Sequence, residues 1–162
     1  MNKILLLCLI SFALSARSVS QNGINLIKQF EGCRLTAYKD PVGVWTIGYG
    51  TTSADKSITG TNIYSGLTIS QATAENWLKK SLNNKYAPKV NKYDGKYKWT
   101  QNEFDALISF AYNIGSIDQL TANGSRSRAT IANTILKYVM GADHFPEISR
   151  RRQAEHDLFV KH

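Results

Sequence analysis

Glu31, Asp40 and Thr46 fall within one stretch, residues 24–52, which reads INLIKQFEGCRLTAYKDPVGVWTIGYGTT. Two carboxyls and a hydroxyl at such intervals suit the cleavage of a glycosidic bond. That reaction needs one carboxyl protonated, to give its proton to the leaving oxygen. It needs the other ionised, to activate a water or to stabilise positive charge on the sugar. Free Glu and Asp both titrate near about 4, so the two must sit in unlike surroundings. Glu31 follows Phe30 at the end of an apolar pattern, where partial desolvation favours the acid form. Asp40 precedes Pro41 in a turn sequence, where water keeps a carboxylate ionised. Thr46 supplies a hydroxyl able to orient the attacking water. Glu and Asp nine positions apart also occur on ordinary surfaces, so spacing alone leaves a purely structural role open for both.

The elements needed to position these groups are legible around them. Ile24, Leu26, Ile27 and Phe30 recur at helical spacings, and Gly32 stops the helix just after Glu31. A segment of strand character follows, broken at Asp40-Pro41 and Gly43. Trp45 to Gly50 mixes aromatic and β-branched residues with glycine, the composition of a strand approached closely by other backbone. One carboxyl thus ends a helix, the second occupies a turn, and the hydroxyl lies on a strand.

The local words resemble a known family. Phe30-Glu31-Gly32, Arg34-Leu35, Ala37-Tyr38, Asp40 and the run Trp45-Thr46-Ile47-Gly48-Tyr49-Gly50-Thr51 are similar to the signature of bacteriophage-type lysozymes, glycoside hydrolase family 24. Phe104 to Gly115 resembles the central helix of these endolysin muramidases, and Arg150-Arg151-Arg152-Gln153-Ala154-Glu155 through Phe159 resembles their last helix. The resemblance implies an α+β, mostly helical, lysozyme-like fold, with a small β lobe and a larger helical lobe flanking a cleft. It implies hydrolysis of β-1,4 bonds between N-acetylmuramic acid and N-acetylglucosamine in peptidoglycan. Glu31 is then the general acid, with Asp40 and Thr46 serving the water. Inversion is implied too, with carboxyls roughly 6.5–9.5 Å apart. Thr52, Tyr112 and Asn113 fall where the family contacts substrate, and Arg151 where an arginine positions the glutamate. No cofactor or metal is implied, and the expected partner is cell-wall peptidoglycan, met by a monomer. A lytic transglycosylase needs the Glu but not the Asp and Thr. A non-catalytic wall-binding protein needs none of the three, and cationic membrane disruption would survive loss of Glu31.

The 162 residues carry a formal charge of +8 and are 43% hydrophobic, which suits one folded unit with an anionic partner. No basic run has the signature of a nucleic-acid module, which leaves acidic lipid or, as the resemblance implies, acidic wall polymers. Residues 1–18 read as a secretory signal: Lys3, then an apolar run from Ile4 to Leu14, then small residues. The competing reading is a signal-anchor that stays in the membrane. Cleavage after Ser15, Ala16 or Ser18 releases a secreted protein whose catalytic domain is residues 19–162, with no stable membrane anchor. It also removes Cys8 and leaves Cys33 alone, expected as a small buried hydrophobe. His144, His156 and His162 offer no zinc-binding spacing.

Further along, residues 53–69 read as the end of a β meander and a loop. Ser70 is a helix cap, with Trp77, Leu78 and Leu82 on the core side of the helix it starts. Lys85 to Lys98 interleaves lysine with Tyr86, Tyr93 and Tyr97, as either a lysine-coated connection or a sugar-stacking surface. Thr100 and Glu103 form a capping box ahead of Phe104, Leu107, Ile108 and Ala111. Ile131, Ile135 and Val139 predict another helix, ended by Gly141, and Pro146 opens the last one. Arg150, Arg151 and Arg152 are consecutive, so a helix points them in different directions and at least one must face solvent.

Overall fold

The computed structural model describes residues 16–139 and 146–161. The first helix, α1 (Gln21–Glu31), starts earlier than its apolar pattern, because Ser20 caps it by accepting from the Asn22 amide. Ile24 and Ile27 face the core, and Gly32, at φ 65°, ends the helix just after Glu31. A residue with a Cβ is disfavoured in that backbone conformation, so the glycine sets where the helix stops.

A small antiparallel sheet follows, formed by β1 (Arg34–Lys39), β2 (Trp45–Gly48) and β3 (Thr51–Thr52) in that order. Thr46 lies opposite Tyr38 on one side and opposite Thr52 on the other. The expected meander after β3 is replaced by a 3-10 turn, Ser53–Asp55, and a short helix, α2 (Lys56–Thr59). Thr52 and Asp55 form a capping box there, a local signal that competes with strand pairing. The chain then returns to the edge of β1, where Ala37 donates to Leu67 and Ile69 to Leu35, both at 2.9 Å. A satellite core of Ile47, Ile63 and Trp77 supports this β lobe.

The connecting helix α3 (Gln71–Ser81) is capped by Ser70, as expected. It runs through a π-helical turn, Leu82–Tyr86, into α4 (Ala87–Asn91), and the one-turn helix α5 (Asp94–Tyr97) follows. Tyr93 and Tyr97 are buried, which corrects the sugar-stacking alternative for those two rings. Tyr97 instead stacks on Trp99 with ring centroids 4.2 Å apart.

Helix α6 (Gln101–Ile114) is the axis of the larger lobe, with Phe104, Leu107, Ile108, Phe110 and Ala111 all buried. Its capping box forms as read: Thr100 donates to Glu103 Oε2 at 2.8 Å, and Glu103 donates back to Thr100 Oγ1 at 3.2 Å. The one-turn helix α7 (Asp118–Thr121) leads through Asn123 and Gly124, both at positive φ, to α8 (Arg128–Ile135). This helix is shorter than expected: Val139 lies beyond it, and Gly141 is outside the described residues. The last helix, α9 (Pro146–Phe159), packs on α6, α8 and α1. Its contact with α6 and α1 decides what Glu31 meets. Cys33 is only half-buried at the edge of the main core, because Gly32 turns the chain outward ahead of it.

Candidate active site

Glu31 ends α1 with its side chain still 24% exposed, on a cavity shared with Phe30, Asn113, Ile148 and Arg151. Its Oε1 accepts from Arg151 Nη1 at 2.5 Å. Among the described residues its Oε2 has no hydrogen-bond partner and is free to carry a proton. Arg151 is itself 6% exposed and makes three kinds of contact. Its Nε donates to Glu155 Oε1 at 3.1 Å, its Nη2 donates to the Ser109 carbonyl at 3.1 Å, and its guanidinium lies 5.8 Å from the Phe30 ring centroid.

Glu155 is fully buried and joins this arginine to the next one. Its Oε2 accepts from Arg152 Nη1 at 2.5 Å, and Ser109 Oγ donates to its Oε1 at 2.7 Å. Arg152 also donates to the Tyr138 carbonyl at 3.0 Å and to Asn113 Oδ1. The run of three arginines therefore divides. Arg151 and Arg152 turn inward, while Arg150 stays 71% exposed beside Glu147. Buried charges persist only when paired, and the alternation Glu31, Arg151, Glu155, Arg152 satisfies each in turn.

Asp40 is held quite differently. Its Oδ1 accepts from the Val42 amide at 3.0 Å and the Val44 amide at 2.8 Å. Its own amide donates to the Val44 carbonyl at 3.0 Å, and its carbonyl accepts from Gly43 at 2.9 Å. Aspartate side chains bind their own turn in this way, and Gly43 sits at φ 86°, where glycine is unstrained. Oδ2 is left out of this local set. Thr46, on β2, is 5% exposed, and its hydroxyl donates to the Val44 carbonyl at 3.1 Å.

A second cavity lies between the lobes. Tyr49, Thr51, Thr52 and Asp55 line its β side; Leu78, Ser81, Lys85, Tyr86 and Tyr112 line its helical side. Thr52 joins it to the sheet position opposite Thr46. The Tyr112 hydroxyl donates to the Tyr49 carbonyl at 2.5 Å, tying α6 to the end of the sheet. Burial, reinforced by the nearby Glu31 charge, pushes the Tyr112 phenol well above its ordinary range, so it stays a donor. Asp55 pairs with Lys85 across the same cavity.

Glu31, Asn113 and Arg151 thus line one cavity, and Thr52 and Tyr112 line the other. Asp40 and Thr46 share one turn and strand on the β side. Reasoning from the sequence assigned no role to Glu155, Arg152, Asp55 or Lys85. The spacing of Glu155 at three and four residues from its arginines was the available signal for the first pair. The box formed by Thr52 and Asp55 was the signal for Asp55.

Comparison with known proteins agrees with this architecture. An endolysin of Lactococcus phage c2 is 47% identical over 147 residues, covering 88% of this chain and 60% of the relative. The chain therefore spans about 60% of the length of that relative. An endolysin of Acyrthosiphon pisum secondary endosymbiont phage 1 is 30% identical over 162 residues, covering 87% of this chain and 97% of the relative. Among solved structures, the muramidase domain of SpmX from Asticaccaulis excentricus superposes with a TM-score of 0.68 at 29% identity, over 90% of this chain and all of that one. The family model described as phage lysozyme matches residues 28–155, from the end of α1 into α9, and this chain belongs to the phage lysozyme family.

Proposed function

We propose that this protein is a muramidase that hydrolyses the β-1,4 bond between N-acetylmuramic acid and N-acetylglucosamine in bacterial peptidoglycan. The observation that carries the reading is the unequal treatment of two carboxyls. Among the described residues, Glu31 presents one oxygen to Arg151 and keeps the other free, whereas Asp40 commits one oxygen to two backbone amides and keeps the other free. Glu31 gives its proton from Oε2 to the leaving glycosidic oxygen. The water that attacks the anomeric carbon donates one hydrogen to Asp40 Oδ2. Thr46 has already given its only hydroxyl hydrogen to Val44, so it can only accept, and it takes the second hydrogen of that water. With both hydrogens held, a lone pair of the water is directed at the sugar. An inverting glycosidase activates its water in this way.

Arg151 serves as a positioning residue for Glu31. Its charge is shared with Glu155, so it orients Oε1 without being devoted to Glu31 alone. Thr52, Tyr112 and Asn113 are the proposed substrate contacts. Thr52 and Tyr112 line the cleft, and Asn113 keeps its amide NH2 available to sugar groups because Arg152 takes only its oxygen. The net charge of +8 favours encounter with anionic wall polymers. The same reading makes the start of the chain, within residues 1–18, a secretory leader and the rest an exported enzyme.

The test is loss of turbidity of purified peptidoglycan, with reducing ends assayed in parallel, for the parent protein and Glu31→Gln. Clearing with new reducing ends by the parent alone supports hydrolysis centred on Glu31. Clearing without reducing ends identifies a lytic transglycosylase. Clearing by neither protein leaves a wall-binding protein, and lysis of whole cells by both variants leaves a membrane-active one.

A further inference from the structure

The residues just ahead of α1 are built into the helical lobe. The Arg17 carbonyl accepts from Asn91 Nδ2 at 2.9 Å, and its guanidinium reaches to 4.0 Å from Asp94. The Ser18 carbonyl accepts from Gln101 Nε2 at 3.1 Å. Val19 is 5% exposed and belongs to the main core, and its amide donates to Asn83 Oδ1 at 3.0 Å. Ser20 gives both its amide and its hydroxyl to the buried Asp105 of α6. Gly23 permits this closeness, since a Cβ there would lie 2.8 Å from Val19 and 2.9 Å from Asp105. The segment is a strap that clamps the start of α1, the helix whose far end carries Glu31.

Leader peptidases read small residues at the last and third-last positions before the cut. Four tripeptides meet this, of which Ser11-Phe12-Ala13 lies inside the apolar run and Ser18-Val19-Ser20 would cost the core residue Val19 as well, so the qualifying cuts are after Ala13-Leu14-Ser15 and Ala16-Arg17-Ser18. A cut after Ala16 would place Leu14 at the third-last position, which is not small. The two qualifying cuts have opposite consequences for the strap. Cleavage after Ser18 removes the carbonyls bound by Asn91 and Gln101. It also converts the Val19 amide to an ammonium at a buried residue whose nitrogen has, among the described residues, only the neutral Asn83 Oδ1 as its acceptor, where a charge without an anionic partner is costly. Cleavage after Ser15 leaves every strap contact in place and puts the new ammonium on Ala16, which is exposed.

We infer that processing occurs between Ser15 and Ala16, so that the mature protein begins with the strap. The peptidase of the exporting cell adds water across that bond, leaving a carboxylate on Ser15 and an ammonium on Ala16. The inference rests on the leader proposed above and is independent of the glycosidase reading.

The test is to export the full chain from a bacterial host and determine the N-terminus of the released protein by sequencing and intact mass. Ala16 as the first residue is expected. Any other first residue, or release with the leader intact, overturns the proposal. A second measurement compares thermal unfolding of chains made to begin at Ala16 and at Val19. The shorter chain should melt lower by about 5 °C, and equal melting would remove the reason for choosing between the two cuts. Peptidoglycan hydrolysis by the chain beginning at Ala16 is followed in parallel, so a wrong cleavage site and a wrong enzymatic activity fail separately.

Discussion

Glu31 is held by side chains from the far end of the sequence, whereas Asp40 is held by its own neighbours. The Arg151 partner of Glu31 lies 120 residues away, and Glu155 and Ser109 hold that arginine in turn. Among the described residues, every hydrogen bond to Asp40 comes from residues 42–44. The first support is a buried network of alternating charge on α6 and α9. The second is a turn on the edge of a small sheet with a three-residue satellite core. The proposed acid, fixed by the whole helical lobe, keeps its place only while that lobe is folded. The proposed base, fixed by a turn, keeps its place almost regardless of what surrounds it. Damage to the first support should therefore reach both stability and activity, while damage to the second can separate them.

The largest effect is expected at Glu155. Replacement by Gln leaves two buried guanidiniums short of a negative charge, and breaking such a pair costs about 3–5 kcal/mol. The melting temperature should fall on the order of 10 °C, measured by circular dichroism. A fall of only a degree or two would show that solvent reaches the network and that the contrast with Asp40 is overdrawn. Arg151→Lys comes next. Lysine keeps the charge, but a single ammonium cannot reach Glu31, Glu155 and the Ser109 carbonyl in the fork geometry that a guanidinium offers. We expect about 2 kcal/mol of destabilisation. Turnover should fall about 100-fold with KM little changed, because a misplaced acid loses rate rather than binding. Unchanged turnover with lowered stability would make Arg151 a purely structural residue.

The same contrast explains what could be read from the sequence. The support of Asp40 was legible because it is local: Asp-Pro-x-Gly names its own turn, and the composition of Trp45 to Gly50 names the strand beyond. The end of α1 at Gly32 and the capping box of α6 were legible for the same reason. The network around Glu31 was not legible from residue types. Three consecutive arginines give no indication of which turn inward until α9 is laid against α6 and α1. Resemblance to a family pointed to Arg151 but left Glu155 and Arg152 without roles. The tyrosines between Lys85 and Lys98 illustrate the same limit, since burial of Tyr93 and Tyr97 depends on packing around Trp99 rather than on their spacing. The helix expected through Val139 stops at Ile135, although the apolar spacing continues past it.

A smaller effect is expected from Gly43→Ala, which strains the turn without touching either carboxyl. A Cβ at this position meets no atom within 4 Å, so the cost is conformational only, from the φ of 86°. It should be about 1 kcal/mol, seen as a small drop in the denaturant midpoint. Turnover should fall only as far as the turn shifts. If stability falls by several kcal/mol instead, the turn is coupled to the rest of the β lobe and its independence is lost.

The smallest stability change, with a large loss of activity, is expected for Asp40→Asn. The amide oxygen of asparagine can accept from Val42 and Val44 as Oδ1 does now, so the turn keeps its bonds. The unfolding free energy should stay within about 0.5 kcal/mol of the parent. The amide cannot take a proton from water, and loss of a general base costs about 100- to 10,000-fold in rate. Glu31→Gln lacks this clean separation, because it also weakens the ion pair with Arg151 and leaves more positive charge at the mouth of the cleft. Stability and reducing-end release measured together on the two variants therefore test the comparison itself. An Asp40→Asn protein that keeps full activity would reduce Asp40 to a turn former and remove the base from the proposed reaction. One that loses stability as well would mean that the carboxylate charge, and not only its hydrogen-bonding shape, holds the β-lobe turn.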